Sequence, residues 1–266
     1  MKVNNFIIEK NDLTDLYIKC LNSFILHDVD VDLYTYDVTN ISKITKELSP
    51  KINVINADKI LKMSYREKCG TDRVFSNHFR YVLLLKNKGW WVDADNVMVS
   101  SFDNMDKNFI LAGYAMRNNK GTVGNGNVIY YNDDKIGLKI LTDAVNIVEN
   151  AKSQVEEYHN GGKFFSLITE KIKNFIVEPN LFNPLVFHQR KLFTQTFSQD
   201  IMDFLKGAHT IHLWAMTVGN TVTVIDKDCL YQIMMDYLDK SEKITITKLQ
   251  RKCTSIMKEY NIEKPD

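Results

Sequence analysis

SNHFRYVLLLKNKGWWVDADNVMVS, residues 76–100, is the stretch on which the reading of this chain turns. Phe75, Phe79, Val82 and Leu83 recur at the 3.6-residue period of a helix, and Leu84 and Leu85 widen its apolar face. Ser76, Asn77 and Arg80 lie three and four apart and share another, polar face. Gly89 is expected to close the helix as a left-handed cap. Trp90, Trp91 and Val92 then form a short run with strong strand preference. The strand ends in Asp93-Ala94-Asp95, and acids at this 1,3 spacing in a strand point to the same side. No Lys or Arg occurs between Lys88 and Lys107, so neither acid has a basic partner close by in sequence. Burying both without a counter-ion would cost several kcal/mol. Such a pair makes a compact anionic site suited to a divalent metal that grips a diphosphate. Asp-x-Asp alone is a weak pattern, and a solvated turn after a strand also produces it.

The surroundings add to the pattern. Ser76, Asn77, Arg80 and Tyr81, followed by Gly89, Trp90, Trp91, Asp93 and Asp95, resemble the signature of DXD-type glycosyltransferases of the capsular-polysaccharide and alpha-1,4-glycosyltransferase kind. That group shares features with glucosylating toxins. Its pattern is a Ser-Asp-x-x-Arg-Tyr helix, a Gly-Gly turn, an apolar strand and Asp-x-Asp. Here Asn77 stands where the family has Asp, and Lys88 stands where it has the first Gly. An Asn accepts through its carbonyl oxygen and also donates.

The resemblance implies a GT-A-like α/β fold: a mixed sheet flanked by helices. It also implies a metal-dependent transferase that retains anomeric configuration. Asp95 would ligate Mn²⁺ or Mg²⁺, and Asp93 would hold ribose or sugar hydroxyls and support the metal through water. Arg80 would hydrogen-bond the donor with its planar fork. Trp90 and Trp91 are read as packing for the strand. The likeness extends, less specifically, over residues 3–215. Leu33-Tyr34-Thr35-Tyr36-Asp37 fits the family's second strand, whereas Glu9-Lys10-Asn11 replaces the Gly-Gly after the first. Asn127 matches an Asn near the donor sugar, although a turn residue at positive φ accounts for it equally. Gly161-Gly162 loosely matches a Gly-Pro, with a structural turn as its plainer role. His212 and Trp214 match a closing His-x-Trp, which implies a phosphate or metal contact for His212, although core packing of a lone histidine accounts for it equally. The implied partners are a nucleoside-diphosphate sugar, UDP before GDP, and a glycan or other small acceptor. Surface polysaccharide synthesis is the implied setting.

Length and composition set the outer bounds. A chain of 266 residues with 44% apolar and 25% charged residues is an ordinary globular protein. The expectation is a single domain with a core over about residues 1–222 and a C-terminal helical extension over about 223–266. A net charge of +1 gives no case for bulk nucleic-acid binding. No apolar run approaches the ~20 residues that span a bilayer, and the apolar part of residues 1–12 is too short for a secretory leader. Cys20, Cys69, Cys229 and Cys253 are widely spaced, without a Cys-x-x-Cys. Cytoplasmic residence is expected, with peripheral membrane contact left open.

Along the chain, strands are expected at Val3–Ile8, Asp30–Tyr36, Ile52–Ile55, Phe109–Tyr114, Val128–Tyr131 and Thr210–Trp214. The second should alternate, with Val31, Leu33 and Thr35 opposite Asp30, Asp32 and Tyr34. Helices are expected at Asp12–His27, capped by Asn11 or Asp12, and at Ile41–Leu48 and Lys135–Ala151. Others are expected at Phe164–Ile172, Lys227–Leu238 and Thr245–Tyr260. Residues 118–127, NNKGTVGNGN, read as a loop. The basic residues of the last helix, Lys248, Arg251, Lys252 and Lys258, read as solvated.

Two other functions fit parts of the pattern. The run from Trp91 to Val97 satisfies the motif of haloacid-dehalogenase-like phosphatases, with Asp93 as nucleophile, Asp95 as general acid and Asp133-Asp134 as a later acidic pair. Against it, several elements precede the motif, and the Ser76–Tyr81 helix goes unexplained. The Asn at 77 also admits an inactive module that only binds a sugar nucleotide.

Overall fold

The computed structural model describes residues 1–102, 105, 107–156, 159–214 and 227–260. The proposed core boundary near 222 and the start of the closing segment at Val224 lie outside the described residues. In chain order the strands are β1 (Lys2–Phe6), β2 (Asp30–Thr35), β3 (Ile52–Asn56), β4 (Gly89–Val92), β5 (Asn96–Met98), β6 (Phe109–Ala115), β7 (Thr122–Tyr131) and β8 (Thr210–His212). The helices are α1 (Asp15–Leu26), α2 (Val38–Leu48), α3 (Tyr65–Cys69), α4 (Asp72–Asn87), α5 (Lys135–Glu149), α6 (Gly162–Ile172), α7 (Pro179–Phe182) and α8 (Gln199–Phe204), followed by Leu230–Asp239 and Ile246–Glu259. The chain divides into two compact units. One comprises Met1–Leu13, Val29–Ala94 and Asn104–Glu178; the other comprises Thr14–Asp28, Asp95–Asp103 and Pro179–Asp266.

The first unit is built on a six-stranded sheet in the order β3-β2-β1-β4-β7-β6. β1 to β4 run parallel, and β7 runs antiparallel to both β4 and β6. This is the mixed sheet expected from the sequence. The sheet grows outward from β1 through β2 and β3, then restarts with β4 on the other side of β1. The strand order therefore reverses between β1 and β4. In open α/β sheets the crevice at the carboxyl ends of such a pair is where ligands bind. α4 carries Val74, Phe75, Phe79, Leu83 and Leu84, all with no exposed surface, into the core. Phe79 stacks on Phe6 of β1 with ring centroids 4.0 Å apart. Each such side chain contributes about 1.5–3 kcal/mol by burial, enough to fix the rotation of α4 and hence of its polar face.

The second unit holds the antiparallel pair β5–β8, α1, α7, α8 and the two last helices. Its core includes Cys20, Val97, Ile211, Leu230 and Leu249. The Met98 amide donates to Ser23 Oγ of α1 at 2.9 Å, which ties β5 to that helix.

Several local expectations need correction. Beyond Asp30, β2 is buried on both faces, as strands of a parallel sheet are when both faces of the sheet are covered. Asp32 is accommodated by Lys2 Nζ at 3.1 Å and by Asn53 Nδ2 at 3.0 Å. α1 is capped by Thr14, two residues beyond Asp12, with its hydroxyl accepting from the Tyr17 amide. At the end of α4 the left-handed residue is Lys88 itself, at φ 55°, directly before Gly89 at φ 92°. The second half of the Asn/Gly stretch is strand rather than loop, since β7 begins at Thr122. Gly124 and Gly126 are there for close approach. A Cβ on Gly126 would stand 2.9 Å from Arg80 Nη1, and one on Gly124 would stand 3.4 Å from Phe165 Cβ. Residues 179–204 form two short helices and a 3-10 segment at Phe187–Phe193, none of which the sequence pattern announced.

Candidate active site

Asp93 follows directly on the carboxyl end of β4, beside the β1–β4 reversal. Its amide donates to the Asn127 carbonyl at 2.8 Å and extends the β4–β7 ladder by one bond. Two donors converge on its Oδ1: Trp91 Nε1 at 2.7 Å and Arg80 Nη1 at 3.2 Å. Arg80 is anchored in turn. The same Nη1 donates to the Gly126 carbonyl, and the guanidinium lies 5.1 Å from the centre of the Trp91 ring, in cation–π range.

A bulge makes this arrangement available. β6 pairs Leu111 with Ile129 but the next residue, Ala112, with Asn125. Gly126, Asn127 and Val128 of β7 are thereby skipped by β6. The carbonyls of Gly126 and Asn127 are the two used by Arg80 and by the Asp93 amide. Bulges commonly re-aim groups next to active sites.

Asp93 therefore does have a basic partner, supplied by α4 rather than by its own neighbourhood in sequence. Arg80 Nε is buried and makes no hydrogen bond to the described residues. The α4 face named from the sequence holds a half-buried Ser76 and buried Asn77 and Arg80. Asn77 Nδ2 donates to Asn160 Oδ1 at 3.2 Å, Asn160 Nδ2 donates to the Val74 carbonyl at 2.9 Å, and Tyr81 donates to the Asn160 carbonyl at 2.8 Å. Asn160 directly precedes the Gly161-Gly162 pair, and no periodicity marks it. Gly161 is the residue before α6 and caps it with no side-chain bond. Asn127 has no exposed surface and lies within β7. It is not among the positive-φ residues, so the turn explanation for it does not hold.

In the second unit, Asn96 of β5 pairs with His212 of β8, and the Leu213 amide donates to the Asp95 carbonyl at 2.9 Å. This register brings His212 Nε2 to 3.1 Å from Asp95 Oδ1. His212 Nδ1 lies 3.1 Å from Asn183 Oδ1. With Nδ1 donating to that amide oxygen, Nε2 of a neutral ring turns its lone pair toward the Asp95 carboxylate. Two acceptors at that distance repel unless a proton or a cation lies between them. Adjacent ligands of an octahedral ion at 2.0–2.1 Å stand about 3 Å apart, so the pair fits a divalent metal. Trp214, at φ 54°, donates Nε1 to the Leu185 carbonyl at 2.9 Å, and its ring centre lies 3.9 Å from that of His212. Burial pushes the Cys20 thiol well up, and the Asp95 charge adds to the effect.

The phosphatase alternative fails on register. In the antiparallel β4–β7 pair, Val92 faces Val128 and Gly89 faces Tyr131. Asp93 lies beyond one end of β4, whereas Asp133 and Asp134 lie beyond the other. Asp134 caps α5 through the Ile136 and Gly137 amides, and Asp133 pairs with Lys88.

No protein-family model and no curated protein sequence matches the chain. Solved structures do. The apo-form glycosyltransferase GlyE of Streptococcus pneumoniae TIGR4 is similar at TM-score 0.53 and 16% identity, over 99% of this chain and 64% of that one. This chain thus spans less than two thirds of GlyE. The galactosyltransferase LgtC, solved in complex with donor and acceptor sugar analogs, is similar at TM-score 0.50 and 12% identity, over 95% of this chain and 100% of that one. The fold is the GT-A fold of these glycosyltransferases. The mixed sheet flanked by helices is what the resemblance at residues 76–100 implied.

Proposed function

We propose that this chain is a metal-dependent glycosyltransferase that takes a sugar from a nucleoside diphosphate, UDP before GDP, and passes it to a glycan or other small acceptor. The observation that carries this is the placement of Asp93 on the carboxyl end of β4 at the strand-order reversal, with Asp95 two residues on and already against His212. Residues two apart keep their Cα atoms within about 7 Å, so both carboxylates serve one locality. Asp93, Asp95 and His212 would hold Mn²⁺ or Mg²⁺. The bound ion would supply neutralisation of charge on the departing diphosphate.

The chain's own groups do the rest. Arg80 and Trp91 fix one Asp93 oxygen, which leaves the carboxylate's orientation set before any ligand arrives. Arg80 is also the residue that the family resemblance assigns to a hydrogen bond with the sugar nucleotide; its Nε is sealed from solvent, so that contact falls to the terminal nitrogens of its planar fork. Asn127 holds the Asp93 backbone, and Asn183 fixes the His212 ring. A retaining transfer on one face, with the leaving phosphate as base, requires no side-chain nucleophile, and none is assigned. Cytoplasmic residence belongs to the same proposal: all four cysteines are free and buried, as suits a reducing compartment. Among the described residues no helix is long and apolar enough to cross a membrane. A role in surface polysaccharide synthesis rests on the family resemblance.

Turnover tests the proposal. Release of UDP from a panel of UDP-sugars with Mn²⁺ should be measurable and should fall to background in Asp95→Asn. Nucleotide binding with no release from any sugar nucleotide would leave a binding module instead. Asn77 gives that outcome a structural basis, because its amide is engaged by Asn160.

A further inference from the structure

The β6–β7 hairpin does not stop at the sheet's edge. β4 ends opposite Val128, but β7 begins at Thr122 and stays paired to β6 as far as Ala115. Beyond the bulge, Asn125 to Thr122 stay paired with Ala112 to Ala115, three residue steps or roughly 10 Å at strand spacing. The overhang lies on the carboxyl side of the sheet, the side on which Asp93 stands. The tip turns through Asn118 at φ 60°. Tyr114, Met116, Arg117, Asn118 and Lys120 line a groove of about 420 Å³ there.

The lining has a definite chemistry. Arg117 and Lys120 are exposed, and neither has an ion-pair partner among the described residues. Met116 is 38% exposed beside a half-buried Tyr114. Other long cations of this unit are of both kinds: Lys2 pairs with Asp32, Arg66 with Asp72 and Glu9, Lys88 with Asp133 and Lys139 with Asp143, whereas Lys43, Lys46, Lys62 and Lys135 have no ion-pair partner among the described residues. Two unmatched cations around an aromatic edge and a thioether fit a ring with an apolar face and a carboxylate. The guanidinium fork takes a carboxylate in bidentate fashion, and the Tyr and Met surfaces suit the C–H face of a pyranose. Two cations on a nearly neutral chain are too few for a nucleic-acid surface.

We propose that the tip of the β6–β7 hairpin is the docking subsite for an acceptor glycan that carries carboxylates. This rests on the glycosyltransferase reading above and names the acceptor class for it. The subsite engages the glycan at a distance from the transfer point, so it sets acceptor affinity and leaves donor binding alone.

Calorimetric titration with tetragalacturonate, maltotetraose and tetraglutamate tests it, on the wild type and on the Arg117→Glu, Lys120→Glu double variant. The expected result is tetragalacturonate binding that weakens with added salt and falls at least about tenfold in the variant, about 1.4 kcal/mol, with much weaker maltotetraose and tetraglutamate binding. Equal binding of tetragalacturonate by both proteins, no binding by the wild type, or tetraglutamate binding of equal strength overturns the proposal. A thermal-shift series with UDP and Mn²⁺ runs in parallel. If UDP stabilises both proteins equally while tetragalacturonate is ignored, only the subsite fails. If UDP stabilises neither, the transferase reading fails, and the glycan titration still decides the subsite.

Discussion

Arg80 Nη1 stands 3.2 Å from Asp93 Oδ1, on side chains that are 7% and 23% exposed. The strand-end carboxylate is therefore held by the helix preceding it in the chain. Removing one partner of a largely buried pair leaves the other charge uncompensated, at a cost of about 3–5 kcal/mol. Arg80→Met should lose about 3 kcal/mol of stability in urea unfolding. A loss below about 1 kcal/mol would show that the pair is solvated and does not orient Asp93.

Gly126 makes room for that guanidinium. A methyl group there meets Arg80 Nη1 at 2.9 Å, and the arginine is already tied to the Gly126 carbonyl. Gly126→Ala should destabilise by about 1–3 kcal/mol and weaken nucleotide binding as well, while Gly162→Ala, where a Cβ meets nothing within 4 Å, serves as a control that touches neither Arg80 nor Asp93. A Gly126→Ala protein with unchanged stability and unchanged nucleotide affinity would contradict the packing described.

The α4 helix, the β4 strand and the two acids were legible because apolar period and strand preference are local signals. The counter-ion of Asp93 was not, since it depends on a helix crossing the sheet at one rotation. Nor was the bulge at Gly126–Val128: a run of Asn and Gly reads as loop, and only a neighbouring arginine and phenylalanine explain glycine inside a strand. Lys88 shows the reverse case. The family's glycine is absent, yet the backbone keeps a left-handed φ of 55° there, at a strain that Gly would avoid. His212 and Trp214 were found by resemblance, but Asn183, which orients the imidazole, lies in a stretch with no periodic signal.

Asn160 ties the start of α6 to α4 through three bonds and has no exposed surface. Asn160→Leu deprives the Asn77 amide of its acceptor inside the core, which costs about 1–3 kcal/mol. The expected outcome is a Tm several degrees lower, with secondary structure retained by circular dichroism. An unchanged Tm would show that the Asn77–Asn160 bond contributes nothing.

Stability should fall on the acid side of neutrality. Burial holds the His27 imidazole down to about 4 from its ordinary 6.5, against the opposing effect of its bond to the Ile244 carbonyl. Below about 6.5 the unfolded chain takes up a proton that the folded chain refuses until about 4. Stability present above 6.5 is thus lost as the pH drops through that window, on the order of 3 kcal/mol in all. His78 and His209, also lowered by burial, act in the same direction, so the comparison with His27→Gln isolates one group. The variant should show a shallower loss between neutral and acid pH in chemical denaturation. Parallel curves would rule out a contribution from His27.

The most direct test is the linkage between metal and nucleotide at the paired acids. Titrating UDP calorimetrically should give clear binding when Mn²⁺ is present and binding at least about tenfold weaker in EDTA, and Asp95→Asn and His212→Ala should each remove the metal's effect. UDP binding that ignores both the metal and these two substitutions, or no UDP binding under any condition, would contradict the assignment of Asp93, Asp95 and His212 to a cation and its diphosphate.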